Sequence, residues 1–454
     1  MKSTITIVHI TPHLGGGVGT SLAHFIDQSK EVGVNNLVFC LDWCQNRIQN
    51  SGFGENLTQG QFWKSRNLLN FEILNCDCVL IHYWNHPLLS VFLSNFVSIK
   101  NKSIIWCHNS GMAEPHINPN FLTEIADTIV FTSKSSALAS NFEFLSSAGS
   151  GVPLIVPTVR DLRSFFNMGS THKVSTLSPK LLYVGSVSKS KMHPDAALIF
   201  SQLSLRGLQV RVVGGPDHVE LANEVESLGG KIEISGHVDN VIDFYSESDL
   251  FIYPLRADHY GTGEQVILEA LASGLPVVAF NNPAEAAILK EFKNLKLANS
   301  ASEFIEVVLN LTTSPHKLLE LSRQTYLIAS SIYGSSLMTG ELLEIINCAI
   351  RSSKGKGKYS KHIKTIDNLL AIYARASFFD QSIFEQILNE PREGVDLILS
   401  KIEEGLENPS CIQRWQATSK STPKHYSKYF PGNKEMDQLA KELSDLLPLY
   451  SEKQ

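Results

Sequence analysis

The chain has 454 residues, of which 43% are hydrophobic and 19% charged, and its formal net charge is −6. This length exceeds one ordinary domain, so two or three are expected, and the negative charge argues against nucleic-acid binding as the main role. The seven cysteines form no Cys-x-x-Cys pair, which indicates neither a disulfide framework nor a zinc site. No signal peptide and no apolar run of about 18 residues is evident, so we expect no transmembrane segment and a reducing cytoplasm.

The N-terminal half opens with an apolar strand, Ile5 to Ile10, and the Gly-rich loop Pro12 to Gly19. A helix is expected from about Thr20 to Glu31. A strand, a Gly-rich turn and a helix in this order are typical of a phosphate-binding site, in which Gly16 and Gly17 are candidate contacts. A tight turn alone would also require glycine, so this pattern leaves both interpretations open.

Short apolar strands continue through this half, each followed by polar residues. They are predicted at Leu37–Leu41, Cys78–His82, Ser103–Cys107, Thr128–Thr132 and Pro153–Val159. In an open α/β sheet the ligand crevice lies at the carboxyl ends of the strands, where His82, His108 and Ser133 fall.

Asp42 ends the second strand, where a dinucleotide-binding domain places an acidic residue for a ribose. That position keeps a nicotinamide or flavin enzyme as an alternative. The spacing Gly15-x-Gly17-x-x-Thr20 lacks the third glycine that lets helix and strand pack closely, which weighs against it.

Residues 160–179 are polar and irregular and mark a domain boundary. The second half then restarts the alternation of strands and helices. Strands are predicted at Leu181–Val184, Gln209–Gly214, Lys231–Gly236 and Leu250–Pro254, and helices at Val219–Leu228, Ser302–Leu311 and Pro315–Ser330.

The most informative stretch is YGTGEQVILEALASGLPVVAF, from Tyr260 to Phe280. Thr262 and Gln265 have the spacing of a capping box, a helix is expected from Gly263 to about Ser273, and Gly274 is its stop. Glu269 lies among apolar residues, where a carboxylate is costly to bury unless donors satisfy it. The hydroxyls of a ribose or sugar would do so, and the helix N-terminus suits a phosphate. A Glu paired with an Arg, or one at the rim of the sheet, is the alternative.

Glu269-Ala270 and Ser273 to Val278 resemble the nucleotide-sugar signature of the retaining GT-B glycosyltransferases of family four (glycosyl transferases group 1). The family's first glutamate is replaced by Gly261, whereas Glu264 resembles the acidic residue of a subset of the family. The resemblance implies an α/β fold of two doubly wound Rossmann-like domains facing a cleft, with a helical C-terminal extension here.

The same resemblance implies a set of site residues. His108, Glu264 and Lys191 would be catalytic, with His108 facing the donor sugar and Lys191 holding the diphosphate. Ser186 stands where the family carries an arginine, so Lys189 or Arg256 is a candidate for the missing cation. The donor nucleotide sugar would contact Gly16, Gly17, Ser186, Lys191, His237, Gly263, Glu264, Gln265, Val266 and Glu269.

Five segments are predicted from these patterns. They are an N-terminal, acceptor-side domain (1–165), a nucleotide-sugar domain (178–334), a helix crossing back to the first domain (335–350), a basic linker (351–364) and a helical extension (365–454). The linker is a candidate for peripheral contact with an anionic membrane, although most such linkers are simply solvated.

The expected activity is transfer of a sugar from a nucleotide sugar, most often a UDP-sugar in this family, to an unidentified acceptor. No Asp-x-Asp occurs in the chain, so no cofactor and no metal are expected. The partners are the donor and the acceptor, with no nucleic acid, and the oligomeric state stays open. A non-catalytic partner subunit and a nucleotide-sugar epimerase of the same fold are the alternatives.

Overall fold

The computed structural model describes most of two α/β units and part of a C-terminal extension. The described residues are 5–12, 14, 16–41, 57–59, 73, 75–84, 89, 92–93, 102–111, 118, 122, 126–138, 154–158, 161–171, 179–189, 191–215, 217–238, 240–259, 261–262, 264–333, 337–351, 394–407 and 433–451. Unit 1 comprises Met1–Arg160, Tyr260–Gly263 and Met338–Gln454, and unit 2 comprises Asp161–His259 and Glu264–Leu337.

Unit 1 is built on a parallel sheet of seven described strands in the order β3-β2-β1-β4-β5-β6-β7. After β3 the chain returns to the other side of β1, so that β4 pairs with β1 and the later strands extend the sheet in the opposite direction. The strands are β1 (Thr6–Thr11), β2 (Asn35–Cys40), β3 (Leu57–Gln59), β4 (Cys78–Tyr83), β5 (Lys102–Cys107), β6 (Thr128–Phe131) and β7 (Leu154–Ile155).

Two helices cover one face of this sheet, Gly16–Glu31 and Leu337–Arg351. Phe25 of the first and Ile346 of the second belong to the same buried core as the sheet residue Leu80. A second core, which contains Phe39, lies on the opposite face. Both faces are therefore buried, as the continuous apolar runs of the strands require.

Unit 2 is a parallel sheet of five described strands in the order β10-β9-β8-β11-β12. The strand order changes direction between β8 and β11, which pair with each other. The strands are β8 (Lys180–Val184), β9 (Gln209–Val213), β10 (Glu233–Ile234), β11 (Leu250–Tyr253) and β12 (Val277–Ala279). Its helices are Arg163–Gly169, Ala196–Leu205, His218–Ser227, Ile242–Ser246, Gln265–Ala272, Pro283–Leu289, Ala301–Thr312 and Pro315–Tyr333.

The Gly-rich loop of the sequence prediction is shorter than expected. The helix starts at Gly16 rather than at Thr20, so Gly16 and Gly17 lie in its first turn. A Cβ atom on Gly19 would lie 1.9 Å from the carbonyl oxygen of Leu14. Glycine is thus required at position 19 for a close approach of backbone.

The predicted capping box at Thr262 is wrong. Glu264 is the N-cap of the helix Gln265–Ala272, and its side chain makes no capping bond. The Thr262 hydroxyl bonds instead to the hydroxyl of Thr132, and the Glu264 carboxylate bonds to Lys191. The hydroxyl of the predicted capping residue and the carboxylate of the observed N-cap residue therefore both have other partners.

The predicted irregular boundary is also partly wrong, because it contains the helix Arg163–Gly169. Phe165 of this helix is buried, with its ring edge-on to Tyr245 at 5.4 Å between centroids. Apolar residues in a short polar segment gave too little periodicity to reveal this helix. Two predicted strands are also shorter than expected, Leu154–Ile155 and Glu233–Ile234.

The α/β fold class is confirmed, as two Rossmann-like units of the GT-B type. The predicted segment bounds stay predictions. The basic linker lies outside the described residues except for Arg351, and the described helices of the C-terminal extension are Gly394–Leu406 and Lys434–Ser451.

Candidate active site

The candidate site in unit 2 lies where its sheet changes direction, at the carboxyl ends of β8 and β11. These strands are neighbours, and β9 and β12 extend the sheet on opposite sides of them. Crevices for ligands form at such a switch point in open α/β sheets. Lys191 follows β8, Tyr253 ends β11, and Glu264 follows β11.

Lys191, Tyr253 and Glu264 form one buried hydrogen-bonded group. The Lys191 Nζ atom lies 2.9 Å from both the Tyr253 hydroxyl and Glu264 Oε2, and the same hydroxyl donates to Glu264 Oε2. The side chains of Lys191 and Glu264 are 9% and 5% exposed. A buried ammonium therefore lies against a buried carboxylate, the arrangement that makes either charge tolerable away from water.

A second acid and a histidine extend this group. His259 Nε2 lies 3.0 Å from Glu285 Oε1, and His259 Nδ1 lies 3.7 Å from Glu264 Oε1. All three side chains are buried. The other Glu285 oxygen, Oε2, is buried without a hydrogen-bond partner among the described residues. We call Lys191, Tyr253, His259, Glu264 and Glu285 the charged cluster.

The pKa values in the charged cluster follow from its alternating charges. Burial raises the pKa of Glu264, but the charges of Lys191 and His259 and the bonds from Tyr253 and Lys191 outweigh it, so the net shift is downward. Burial lowers the pKa of His259, but Glu285 and Glu264 outweigh it, so the net shift is upward. Burial and the neighbouring Glu264 raise the pKa of Tyr253, which stays a neutral donor.

The helix Gln265–Ala272 carries the remaining predicted donor contacts of this region. It ends in a Schellman motif, in which Leu275 N donates to Ala270 O at 2.8 Å and Gly274 adopts φ +74°. Gln265 and Glu269 are buried, whereas Val266 is half-buried. This motif satisfies the last carbonyl groups of the short helix and ends it.

The candidates for the missing cation are both paired with acids. The Lys189 Nζ atom lies 3.0 Å from Glu220 and 3.3 Å from Glu224. Arg256 Nε lies 2.7 Å from Asp258 Oδ1. Ser186 is half-buried, and its carbonyl accepts a bond from the Tyr183 hydroxyl at 2.7 Å.

The other predicted contacts do not join the charged cluster in unit 2. His237 is exposed in the loop after β10. Gly16, Gly17 and His108 belong to unit 1, and Gly263 lies outside the described residues. His108 is half-buried at the end of β5, and its backbone N–H donates to Tyr83 O at 2.8 Å.

Sequence reasoning missed Tyr253, His259 and Glu285. Glu285 had the same signal as Glu269, because it stands between alanines in a helical run, NPAEAAIL. Tyr253 ends an otherwise apolar strand, where a hydroxyl needs a partner when it is buried. No local signal identifies His259, since its partner Glu285 lies 26 residues away.

Residues 178–314 match the profile of a protein family described as glycosyl transferases group 1. The matched segment contains the whole charged cluster. The chain carries a glycosyltransferase domain of group 1. The prediction of a glycosyltransferase enzyme is confirmed at the level of this domain and its fold.

Solved structures support the fold at low sequence identity. HepE (Alr3699) of Anabaena in complex with UDP is 14% identical, with a TM-score of 0.59 over 76% of this chain and 100% of that one. A glycosyltransferase from Rickettsia africae ESF-5 is 16% identical, with a TM-score of 0.58 over 77% and 100%. An α-glucosyltransferase bound to UDP-glucose and DNA is 12% identical, with a TM-score of 0.54 over 76% and 99%.

No curated protein shows significant similarity to the glycosyltransferase sequence. Among the described helices, none is sufficiently long and apolar to cross a membrane.

Proposed function

We propose that this glycosyltransferase transfers a sugar from a UDP-sugar to an unidentified acceptor, with retention at the anomeric carbon and without a metal ion. The observation that carries the proposal is the buried Lys191–Glu264 pair at the switch point of the domain that matches the family. HepE has been solved with UDP and with UDP-glucose, which supports a uridine donor here.

Lys191 would stabilise the leaving diphosphate, exchanging part of its contact with Glu264 for the phosphate oxygens. The bond from the anomeric carbon to the diphosphate breaks as the acceptor oxygen attacks the same face. The acceptor proton passes to the released diphosphate oxygen. Glu264 is held ionised beside Lys191 and Tyr253, so it would accept hydrogen bonds from sugar hydroxyls rather than donate a proton. Glu269 would bind the ribose.

A second candidate, a donor-binding subunit without turnover, is favoured by one observation. Ser186 brings no charge, and both Lys189 and Arg256 are paired with acids. If these pairs persist when the donor binds, Lys191 is left as the cation for the diphosphate, and transfer would be slow or absent.

The test is nucleotide release from UDP-, GDP-, ADP- and TDP-sugars by the wild type and by Glu269→Ala. Release from the UDP-sugar, unaffected by a chelator and lost in the variant, is the expected result. NMR identifies which anomer of the product forms first, and this shows whether the configuration at the anomeric carbon is retained or inverted. Glu226→Ala is the matched control, because Glu226 is exposed on the helix His218–Ser227.

Calorimetry with UDP separates the remaining outcomes. Binding of UDP without release from any donor, even with candidate acceptors present, favours the non-catalytic subunit. Failure to bind any of the four nucleotides contradicts the proposed function in both forms.

A further inference from the structure

A row of four polar side chains, three buried and the last half-buried, crosses the sheet of unit 1. It runs from Asn36 on β2 through His9 on β1 and His82 on β4 to His108 at the end of β5. His9 Nε2 lies 2.9 Å from Asn36 Oδ1, His9 Nδ1 lies 3.2 Å from His82 Nε2, and His82 Nδ1 lies 3.0 Å from His108 Nε2. We call these four residues the histidine row.

The register of the sheet explains the row. Asn36 pairs across the ladder with Ile7, and His9 lies two residues further along β1. The same step of two residues separates each later member of the row from the ladder partner of the member before it. Side chains two apart share one face of a strand. The row is therefore a diagonal on the face covered by the helix Gly16–Glu31, whose Phe25 ring lies 5.7 Å from that of His9.

The amide of Asn36 sets the direction of every hydrogen bond in the row. Its Nδ2 donates to Ser29 Oγ at 2.8 Å, which turns Oδ1 toward His9. An amide oxygen only accepts, so His9 Nε2 carries the hydrogen. In a neutral ring Nδ1 is then bare and accepts from His82 Nε2, and His82 Nδ1 in turn accepts from His108 Nε2.

The three rings are neutral at physiological pH. Burial lowers the pKa of His9 to about 4, despite the opposing effect of its hydrogen bond to Asn36, and burial lowers the pKa of His108 to about 3. Burial first, and then the neighbouring His108 and His9, lower the pKa of His82. Each ring thus holds one hydrogen, and the row ends with a lone pair on His108 Nδ1.

That lone pair has no donor among the described residues, and the atom is shielded from water. The ring is held by Trp106, at 4.6 Å between centroids, and by the edge of Trp84 at 6.3 Å. A buried acceptor left without a partner is unfavourable. A ligand hydroxyl that reached His108 Nδ1 would donate a hydrogen bond to it and satisfy this acceptor.

We propose that Asn36, His9 and His82 are positioning residues, which fix His108 in the Nε2–H tautomer and reserve its Nδ1 atom for a hydroxyl of a bound sugar. This inference rests on the proposed function. A ring fixed in this way accepts from an O–H group and rejects a sugar that lacks the hydroxyl there. Discrimination between sugars then comes from the unpaired acceptor on His108 rather than from the shape of the site.

The first test is histidine tautomer NMR on the ¹⁵N-histidine-labelled full chain, which requires no donor. All three rings are expected as Nε2–H. Asn36→Asp should reverse the row, because a carboxylate draws a second proton onto His9. His9 Nδ1–H then donates to His82, whose Nδ1–H donates to His108, leaving His108 as Nδ1–H. A wild-type His108 in the Nδ1–H form, or a His108 that stays in the Nε2–H form in the Asn36→Asp variant, overturns the proposal.

A second pair of variants keeps the test valid if the buried Asp prevents folding. His82→Asn keeps an acceptor near the Nδ1 position, whereas His82→Phe keeps an aromatic ring without one. His108 should stay Nε2–H in the Asn variant and become a mixture of tautomers in the Phe variant. The same mixture, or the same single tautomer, in both variants contradicts the assignment.

Donor kinetics test the functional part. His82→Phe is expected to lower turnover of the donor about tenfold, the effect of one lost hydrogen bond, with UDP affinity unchanged and activity largely rescued in His82→Asn. His316→Phe is the control, because His316 is exposed. Equal turnover in wild type and His82→Phe overturns the positioning role. Loss of UDP binding in the wild type would instead refute the proposed function, with the tautomer result standing.

Discussion

The histidine row of unit 1 and the charged cluster of unit 2 both span the point where the strand order of their parallel sheet reverses, yet one is neutral and the other is charged. Each includes residues on both sides of the point where its sheet reverses growth. The row consists of neutral groups. The cluster alternates ammonium, carboxylate, imidazole and carboxylate.

Histidine makes the contrast measurable. His9 and His259 are both buried. The pKa of His9 is lowered, because its hydrogen bond to an amide oxygen is too weak to offset burial, whereas the pKa of His259 is raised, because two glutamates outweigh burial. Burial alone therefore does not fix the charge of a histidine; the chemistry of its partners does.

The two arrangements suit different tasks. A neutral row orients hydrogen bonds and so defines which atom donates and which accepts. A charged cluster holds an ammonium and carboxylates where a phosphate and sugar hydroxyls would require them. Three predictions follow from this difference, ordered by the effect expected for each residue involved.

The largest effect is expected when one charge of the cluster is removed. Glu264→Gln leaves the Lys191 ammonium buried beside no ionised partner on that side, which should lower the free energy of unfolding of unit 2 by about 3–5 kcal/mol. Lys191→Met combined with Glu264→Gln should cost less than either change alone. Hydrogen exchange of unit 2 peptides measures this.

The matched control for that cycle is Lys296→Met, which removes an exposed ammonium 3.0 Å from Glu303 and should change little. If the double variant is as unstable as the sum of the two single variants, the ion pair does not couple the two residues. The cluster would then be no more than two independent buried charges.

Acid should destabilise unit 1 through the histidine row. The folded-state pKa values lie below the ordinary value of 6.5, so the unfolded chain binds protons first as the pH falls, and stability is lost from about pH 6.5 downward. The loss is about 2 kcal/mol for each such ring between pH 6.5 and 5. All five tryptophans lie in unit 1, so tryptophan fluorescence during urea unfolding reports this unit.

His9→Gln should remove about one third of that acid loss, since one of three rings no longer titrates. His316→Gln, an exposed control, should leave the pH dependence unchanged. An equal acid loss in wild type and His9→Gln would show that the row is not its source.

Raising the pH should lower the free energy of unfolding of unit 2, by less than acid lowers that of unit 1. The folded-state pKa of His259 lies above 6.5, so its contribution is complete below pH 6.5 and is lost as the pH rises through the raised pKa. Hydrogen exchange of unit 2 peptides between pH 6.5 and 9, corrected for the intrinsic exchange rate, should show the loss. His259→Gln should abolish it, and a loss that persists in this variant would assign it to another group.

Much of the fold was predictable, because local sequence patterns encode strands and helices. Buried parallel strands need continuous apolar runs, such as CVLIH and LFIYP, and both were placed within a residue of the structure. Gly274 was predicted to stop its helix for the same local reason, since a positive φ favours glycine. Thr262 failed as a capping residue because its hydroxyl found a distant partner, Thr132.

The sequence by itself determined the two parallel sheets, the edge of each where a ligand crevice is expected, and Lys191 and Glu264 as candidates for the site. Only the tertiary structure decided which of these side chains meet. Lys191 and Glu264 are 73 residues apart, as are His9 and His82. Local patterns encode burial and chain direction, whereas the identity of a partner depends on the order of strands in the sheet. That order also decided which buried histidines have a lowered pKa and which one has a raised pKa.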